Sequence, residues 1–203
     1  MQFLSYLTFV LVVVGFISTA IVARPQATQL IAAGAFSDSG CTVTNVYTAE
    51  VVPSGNCTYS PSANYYFNVT ALNAGMVSYM LGCDQGCASC DVNSVAGFRQ
   101  CIFEPINGGF YVKAWMVQPS NVMSTVYSDS GCTQAIAKHI VASGTCTHSA
   151  TLSVYYNVAD VGNGELLFGF NCLSDCSACG DYGATKTGVC TQVGTLWAKA
   201  TIL

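Results

Sequence analysis

The sequence predicts an all-β protein: two tandem, small, disulfide-stapled antiparallel β modules, each a sandwich or a barrel, behind an N-terminal signal peptide. Three observations carry this expectation. The spacing Cys83-x-x-x-Cys87-x-x-Cys90 followed by Cys101 returns as Cys172-x-x-x-Cys176-x-x-Cys179 followed by Cys190. Apolar residues alternate with a period of two in segments rich in Val, Thr and aromatics. The first residues form an apolar run closed by small side chains.

The N-terminus comes first in the chain. Phe3 to Ile17 is almost wholly apolar, and Ser18, Ala20 and Ala23 follow it, which is the pattern of a secretory h-region and its cleavage site. Cleavage is expected after Ala20 or Ala23, giving a signal peptide over residues 1–23. The run is also long enough to span a bilayer if it stays uncleaved, so membrane attachment is expected only in that case.

Internal similarity divides the remainder. Cys57 precedes Cys83 by the same interval as Cys146 precedes Cys172, and Ser37-Asp38-Ser39-Gly40-Cys41-Thr42 recurs as Ser128-Asp129-Ser130-Gly131-Cys132-Thr133. All twelve cysteines fall in this pattern, six to a copy. The first module is expected over residues 30–117 and the second over 121–203, joined by Gln118-Pro119-Ser120. Domains of this size bury only about 60% of their unfolded surface, so cross-links supply stability that the core lacks. A bridge closing about 15 residues contributes roughly 3 kcal/mol, and such bridges need an oxidising compartment.

Within each copy the strand pattern is clear. Val77, Tyr79, Leu81 and Cys83 alternate with Met76, Ser78, Met80 and Gly82, and Leu166, Phe168, Phe170 and Cys172 stand at the matching apolar positions. These two sets are expected to face cores. Further strands are expected over Val43 to Val52, Tyr65 to Leu72, Arg99 to Phe103 and Phe110 to Val117, five or six per module. Gln134 to Val141 alone reads as a helical turn or two.

Six cysteines allow fifteen pairings in each module. The expected scheme joins Cys41 to Cys57 and Cys132 to Cys146, since each pair brackets one extended run. The remaining cluster would then pair internally and with Cys101 or Cys190. The triple-cysteine spacing also occurs in iron–sulfur enzymes, and Cys-x-x-Cys pairs occur in zinc and redox sites. The secretory segment and the strand pattern argue against the metal readings, and Cys87-Ala88-Ser89-Cys90 lacks the basic neighbour or helix N-terminus that a redox thiol needs, so no metal or cofactor is expected.

Chemistry-bearing residues are sparse. Charged residues are 8% of the chain, six basic against ten acidic, so there is no basic stripe for a phosphate backbone and nucleic acid is not an expected partner. Only His139 and His148 exist, and Glu50 and Tyr59 stand in their places in the first copy. Glu50, Glu104 and Glu165 are isolated, so neither a hydrolytic triad nor a glycosidase carboxylate pair has an anchor. Ser-Asp-Ser-Gly reads as an Asx-type turn with Gly40 and Gly131 supplying a positive φ; one carboxylate is too few for a strong calcium site.

Two sequons, Asn56-Cys57-Thr58 and Asn68-Val69-Thr70, mark candidate glycosylation at Asn56 and Asn68. In an extended strand Tyr66 shares a face with Asn68, so it is expected on the wet side, with Tyr155 and Asn157 repeating the arrangement. Tyr66 and Tyr155 are therefore the candidate carbohydrate contacts. The function expected is that of a secreted, non-catalytic structural or adhesion protein of an extracellular matrix, wall or cell surface. A lectin-like carbohydrate binder is the alternative, and a secreted hydrolase or inhibitor the third reading. An extracellular polysaccharide or matrix protein is the expected partner.

Overall fold

The computed structural model describes residues 29–42 and 46–203. The expected signal peptide lies outside the described residues, as does Val43, where a strand was expected to start. The first half supplies β1 (Leu30–Phe36), β2 (Val46–Pro53), β3 (Cys57–Ser60), β4 (Tyr65–Ala71), β5 (Met76–Cys83), β6 (Cys90–Gly97), β7 (Ile102–Glu104) and β8 (Phe110–Met116). The second supplies β9 (Asn121–Tyr127), β10 (Ala135–Ala142), β11 (Thr147–Ser149), β12 (Val154–Asp160), β13 (Glu165–Cys172), β14 (Cys179–Lys186), β15 (Cys190–Val193) and β16 (Leu196–Ile202).

Each half is a sandwich of two four-stranded antiparallel sheets. The first half has the orders β2-β1-β8-β7 and β3-β4-β5-β6; the second repeats them as β10-β9-β16-β15 and β11-β12-β13-β14. Eight strands per half exceed the five or six expected, because β3, β7, β11 and β15 span only three or four residues each. Of Gln134 to Val141, where a helical turn was expected, Ala135 to Val141 belongs to β10 and none of it is helical. Ala137 and Val141 point inward and Lys138 and Ile140 outward there, and pairing with β9 overrides the local helix propensity of the alanines.

The alternation expected of β5 is met: Val77, Tyr79, Leu81 and Cys83 are buried and the residues between them are half-buried. Val77, Tyr79 and Leu81 pack on Ile31, Val52, Val112 and Ala114 of the opposite sheet, whereas Cys83 lies outside that cluster, opposite Tyr66 across a register shift in the ladder. In the second half Leu166, Phe168 and Phe170 pack with Val122, Val126 and Ala200. Cys172 does not face the core as expected: it is half-buried, and its Sγ lies on the same side of the sheet as Gly169 and Asn157, opposite to Phe168 and Phe170.

β13 departs from simple alternation, since Leu166 through Phe170 are all buried. The cause is a seam between the halves. Ala32, Phe36, Ala49 and Trp115, on the outer face of the β2-β1-β8-β7 sheet, share one buried cluster with Ala159, Val161, Leu167 and Ala184 of the β12-β13-β14 region. The result is four stacked layers, in which the two inner sheets are covered on both faces. The linker adds polar ties: Gln118 N donates to the Asp160 carbonyl at 2.8 Å, and Ser120 Oγ to Asp160 Oδ2 at 2.9 Å.

Matching positions diverge according to this stacking. Ala159 and Leu167 face the seam, whereas Thr70 and Ser78 hold the same places on the open β3-β4-β5-β6 face. Likewise Ala49 and Trp115 line the seam while Lys138 and Thr201 hold their places on the outer face of β10-β9-β16. At these matched positions the apolar side chain lies where the sheet is covered and the polar one where the stack ends, although Ile140 and Val95 remain exposed on the outer sheets.

The bridges are Cys41–Cys101, Cys57–Cys87 and Cys83–Cys90, repeated as Cys132–Cys190, Cys146–Cys176 and Cys172–Cys179. The expected Cys41–Cys57 and Cys132–Cys146 pairs are therefore wrong, and Cys101 and Cys190 take Cys41 and Cys132 instead of members of the cluster. The partition into sheets gives the reason. Cys41 follows β1 and Cys101 precedes β7, two strands that flank β8, whereas Cys57 opens β3 in the other sheet. Each bridge stays within one sheet, and Cys83 faces Cys90 directly across the β5–β6 ladder.

Candidate functional site

The open face of β3-β4-β5-β6 carries the sequon residues Asn68 and Thr70 and a pair of aromatics. Tyr59 of β3 lies directly opposite Tyr66 of β4, with ring centroids 5.1 Å apart and a 53° tilt. Tyr59 is exposed, Tyr66 is half-buried, and the Tyr59 hydroxyl donates to Asn64 Oδ1 at 2.8 Å. Such cross-strand pairs stabilise a sheet by about 0.2–1 kcal/mol, so packing alone accounts for part of their presence. What remains is an amphipathic aromatic surface beside a polar strand face. The sequence marks Tyr59 only as the counterpart of His148; its place beside Tyr66 depends on the hairpin register, which the sequence does not display.

Asn56 is exposed in the β2–β3 turn. Asn68 is half-buried; its Nδ2 donates to the Gly55 carbonyl at 2.8 Å and its Oδ1 accepts from Thr70 Oγ1 at 2.8 Å. Thr70 is the sequon's own hydroxyl residue.

The second half does not present the same surface. His148 pairs with Tyr155 at 4.8 Å between centroids, repeating the Tyr59–Tyr66 geometry. Their sheet, however, is the one that faces the seam. Asn157, two residues on from Tyr155, is buried, between Ala159 of the seam cluster and the side of Gly169 where the Cys172–Cys179 bridge lies. The expected repetition of a wet Tyr–Asn face thus fails at Asn157, while Tyr155 is half-buried like Tyr66.

The Asp-Ser-Gly turns are Asx-type as expected. Asp38 accepts from Gly40 N at 2.9 Å, and Asp129 accepts from Thr133 Oγ1 at 2.8 Å and Gln134 N at 2.7 Å. These donors hold the Asp129 carboxyl below its ordinary pKa, the Gln134 amide contributing most. The positive φ falls on Cys41 (45°) and Cys132 (50°), not on Gly40 and Gly131, because the turn continues one residue further before each bridge begins.

The ionisable residues are distributed rather than clustered. Glu165 pairs with Arg99 at 3.0 Å across the seam. Glu50 is buried and accepts from Ser60 Oγ at 2.5 Å, and at the matching place His139 Nε2 lies 3.2 Å from Ser149 Oγ. Each serine also accepts from the following turn, Ala63 N at 3.4 Å and Leu152 N at 3.3 Å, so both hydroxyls fasten a hairpin. Ser60 and Ser149 are buried, out of reach of a polymeric substrate. All twelve sulfurs are bridged, and no group of three or more His, Cys, Asp or Glu among the described residues is placed to hold a metal ion.

No protein-family model, curated protein or solved structure matches the chain. The fold and its surface are therefore the whole basis for a functional reading.

Proposed function

We propose that the protein is a secreted, non-catalytic structural or adhesion component of an extracellular matrix, wall or cell surface. The observation that carries this reading is the seam: two disulfide-closed sandwiches are fused through Trp115, Phe36 and Leu167 into one four-layer unit. Six bridges and a buried joint suit a component that must keep its shape in an oxidising, proteolytic setting. The signal peptide over residues 1–23 and glycans at Asn56 and Asn68 belong to the same proposal.

Fractionation of the producing cells tests it. The protein is expected in the insoluble extracellular fraction, shortened at its N-terminus and reduced in mass by glycosidase treatment. Recovery inside the cell, or only as a freely soluble protein, would overturn the reading.

Carbohydrate binding is the second reading, favoured by the Tyr59–Tyr66 pair on an open sheet face. Retention on insoluble polysaccharides, compared among the unmutated protein, Tyr66→Ala, Tyr155→Ala and the double variant, tests it. Because Asn68 beside Tyr66 keeps some exposure while Asn157 beside Tyr155 is buried, loss of retention is expected mainly from Tyr66→Ala.

A further inference from the structure

Between the two sheets of the first half lies a cavity of about 50 Å³, lined by Glu50, Ala63 and four aromatic rings, those of Tyr65, Phe67, Tyr79 and Phe110. Taking about 10–15 Å³ of such volume per water, it admits roughly four water-sized groups. Glu50 is only 5% exposed. Its Oε1 accepts from Ser60, while Oε2 is buried without a hydrogen-bond partner among the described residues. A buried, unpaired carboxyl oxygen costs free energy unless something donates to it.

The second half has filled the same space. Leu152 stands where the first half has Ala63 and packs against the core, and Tyr156 and Phe170, at the places of Phe67 and Leu81, stack at 5.6 Å. His139 replaces Glu50 there. So the first half alone combines a small residue at the cavity wall, a carboxyl on its lining and rings around it.

We propose that this cavity binds a small primary ammonium ion carrying a short aliphatic chain. The chemistry follows from the lining: an ammonium group donates to Glu50 Oε2 and supplies the opposite charge that a buried carboxylate needs. The faces of the surrounding rings attract a cation electrostatically, and they also shed water when an alkyl chain covers them. An anion would meet Glu50 and the buried carboxyl of Glu104 and is excluded by charge; a neutral alcohol donates to Oε2 but gains no ion pairing. Burial raises the Glu50 pKa to about 7, with the Ser60 hydrogen bond opposing it, so binding strengthens as the pH rises through neutrality. The other titratable groups near this carboxyl are Glu104, Tyr65 and Tyr79; the two tyrosines have pKa values raised by burial and stay protonated over that range. This site is separate from the Tyr59–Tyr66 face, and neither proposal depends on the other.

The test uses the full disulfide-bonded protein and n-butylammonium chloride, with 1-butanol and butyrate as controls, followed by amide chemical-shift titration at pH 5.5 and pH 8. Expected are saturable shifts confined to β2, the β3–β4 turn, β4, β5 and β8 and the adjoining part of β1, an affinity for butylammonium at least 10-fold above that for 1-butanol at pH 8, and a narrowing of that ratio at pH 5.5. Glu50→Gln should abolish the preference. Ala63→Leu, which copies Leu152 of the second half, should remove binding of both amine and alcohol with the spectrum otherwise folded. Absence of saturation by butylammonium, equal affinity for amine and alcohol at pH 8, or a preference that survives in folded Glu50→Gln would each overturn the proposal.

Discussion

Arg99 and Glu165, one from each half of the chain, meet at 3.0 Å, and the same guanidinium donates to the carbonyl of Val161. Two modules that share no disulfide are thus tied at the rim of their buried seam. Both side chains are about one-third exposed, which screens the charge pair. Arg99→Ala is expected to lower stability by only about 0–1 kcal/mol through the ion pair, with somewhat more from the lost carbonyl bond. Denaturant midpoints at low and high salt separate the two contributions, since salt weakens only the first.

The seam's apolar centre should matter more. Leu167→Ala is expected to cost about 2–5 kcal/mol, the range for a large buried side chain, although its matching position in the first half is the half-buried Ser78. Leu81→Ala and Phe170→Ala, inside the two separate cores, should each fall in that same range. Unfolding midpoints measure all three, and an unaltered midpoint in Leu167→Ala would show that the halves do not rely on the seam.

Gly144 and Gly55 are matched residues with φ of +75° and +81°, so alanine is strained at both. A Cβ on Gly144 would also stand 3.2–3.3 Å from Leu30, Val51 and Val117 of the first half, whereas on Gly55 it would meet only Thr70 Oγ1 at 3.7 Å. Gly144→Ala should therefore destabilise more than Gly55→Ala. Thermal unfolding of the two variants side by side measures the seam's contribution to that difference.

Peptide mapping without reduction should return six bridges, none joining a cysteine below residue 102 to one above residue 131. Replacing both Cys41 and Cys101 by Ser releases a loop of separation 60, for which chain entropy predicts a loss of about 4 kcal/mol.

The buried carboxyl of Glu50 sets a pH dependence of definite sign. Its pKa is raised from 4.5 to about 7, so between those values the folded chain holds a proton that the unfolded chain has released. Stability from this group is complete below about pH 4.5 and is lost as the pH rises through 7, by an amount on the order of 3 kcal/mol. Comparing unmutated protein with Glu50→Gln at pH 4.5 and pH 8 isolates it, because the amide does not titrate.

By itself the sequence determined the strand character, the division into two six-cysteine units and the inward face of β5, since each is a local period or spacing carried by neighbouring residues. The turn at Asp38 and Asp129 is equally local: one carboxylate reaches amides a few residues away. Tertiary structure alone decided the rest. Disulfide pairing depends on which sheet a strand joins, so Cys41 finds Cys101 across β8 rather than the nearer Cys57. The seam was hidden for a related reason. A covered outer face and a wet one can both follow a period of two, and only the stacking of sheets shows why Leu167 and Asn157 are buried while Ser78 and Asn68, in matching places, keep some exposure. The carboxyl of Glu50 and the rings of Tyr65 and Phe110 come from three strands of two facing sheets, and only their packing encloses a cavity.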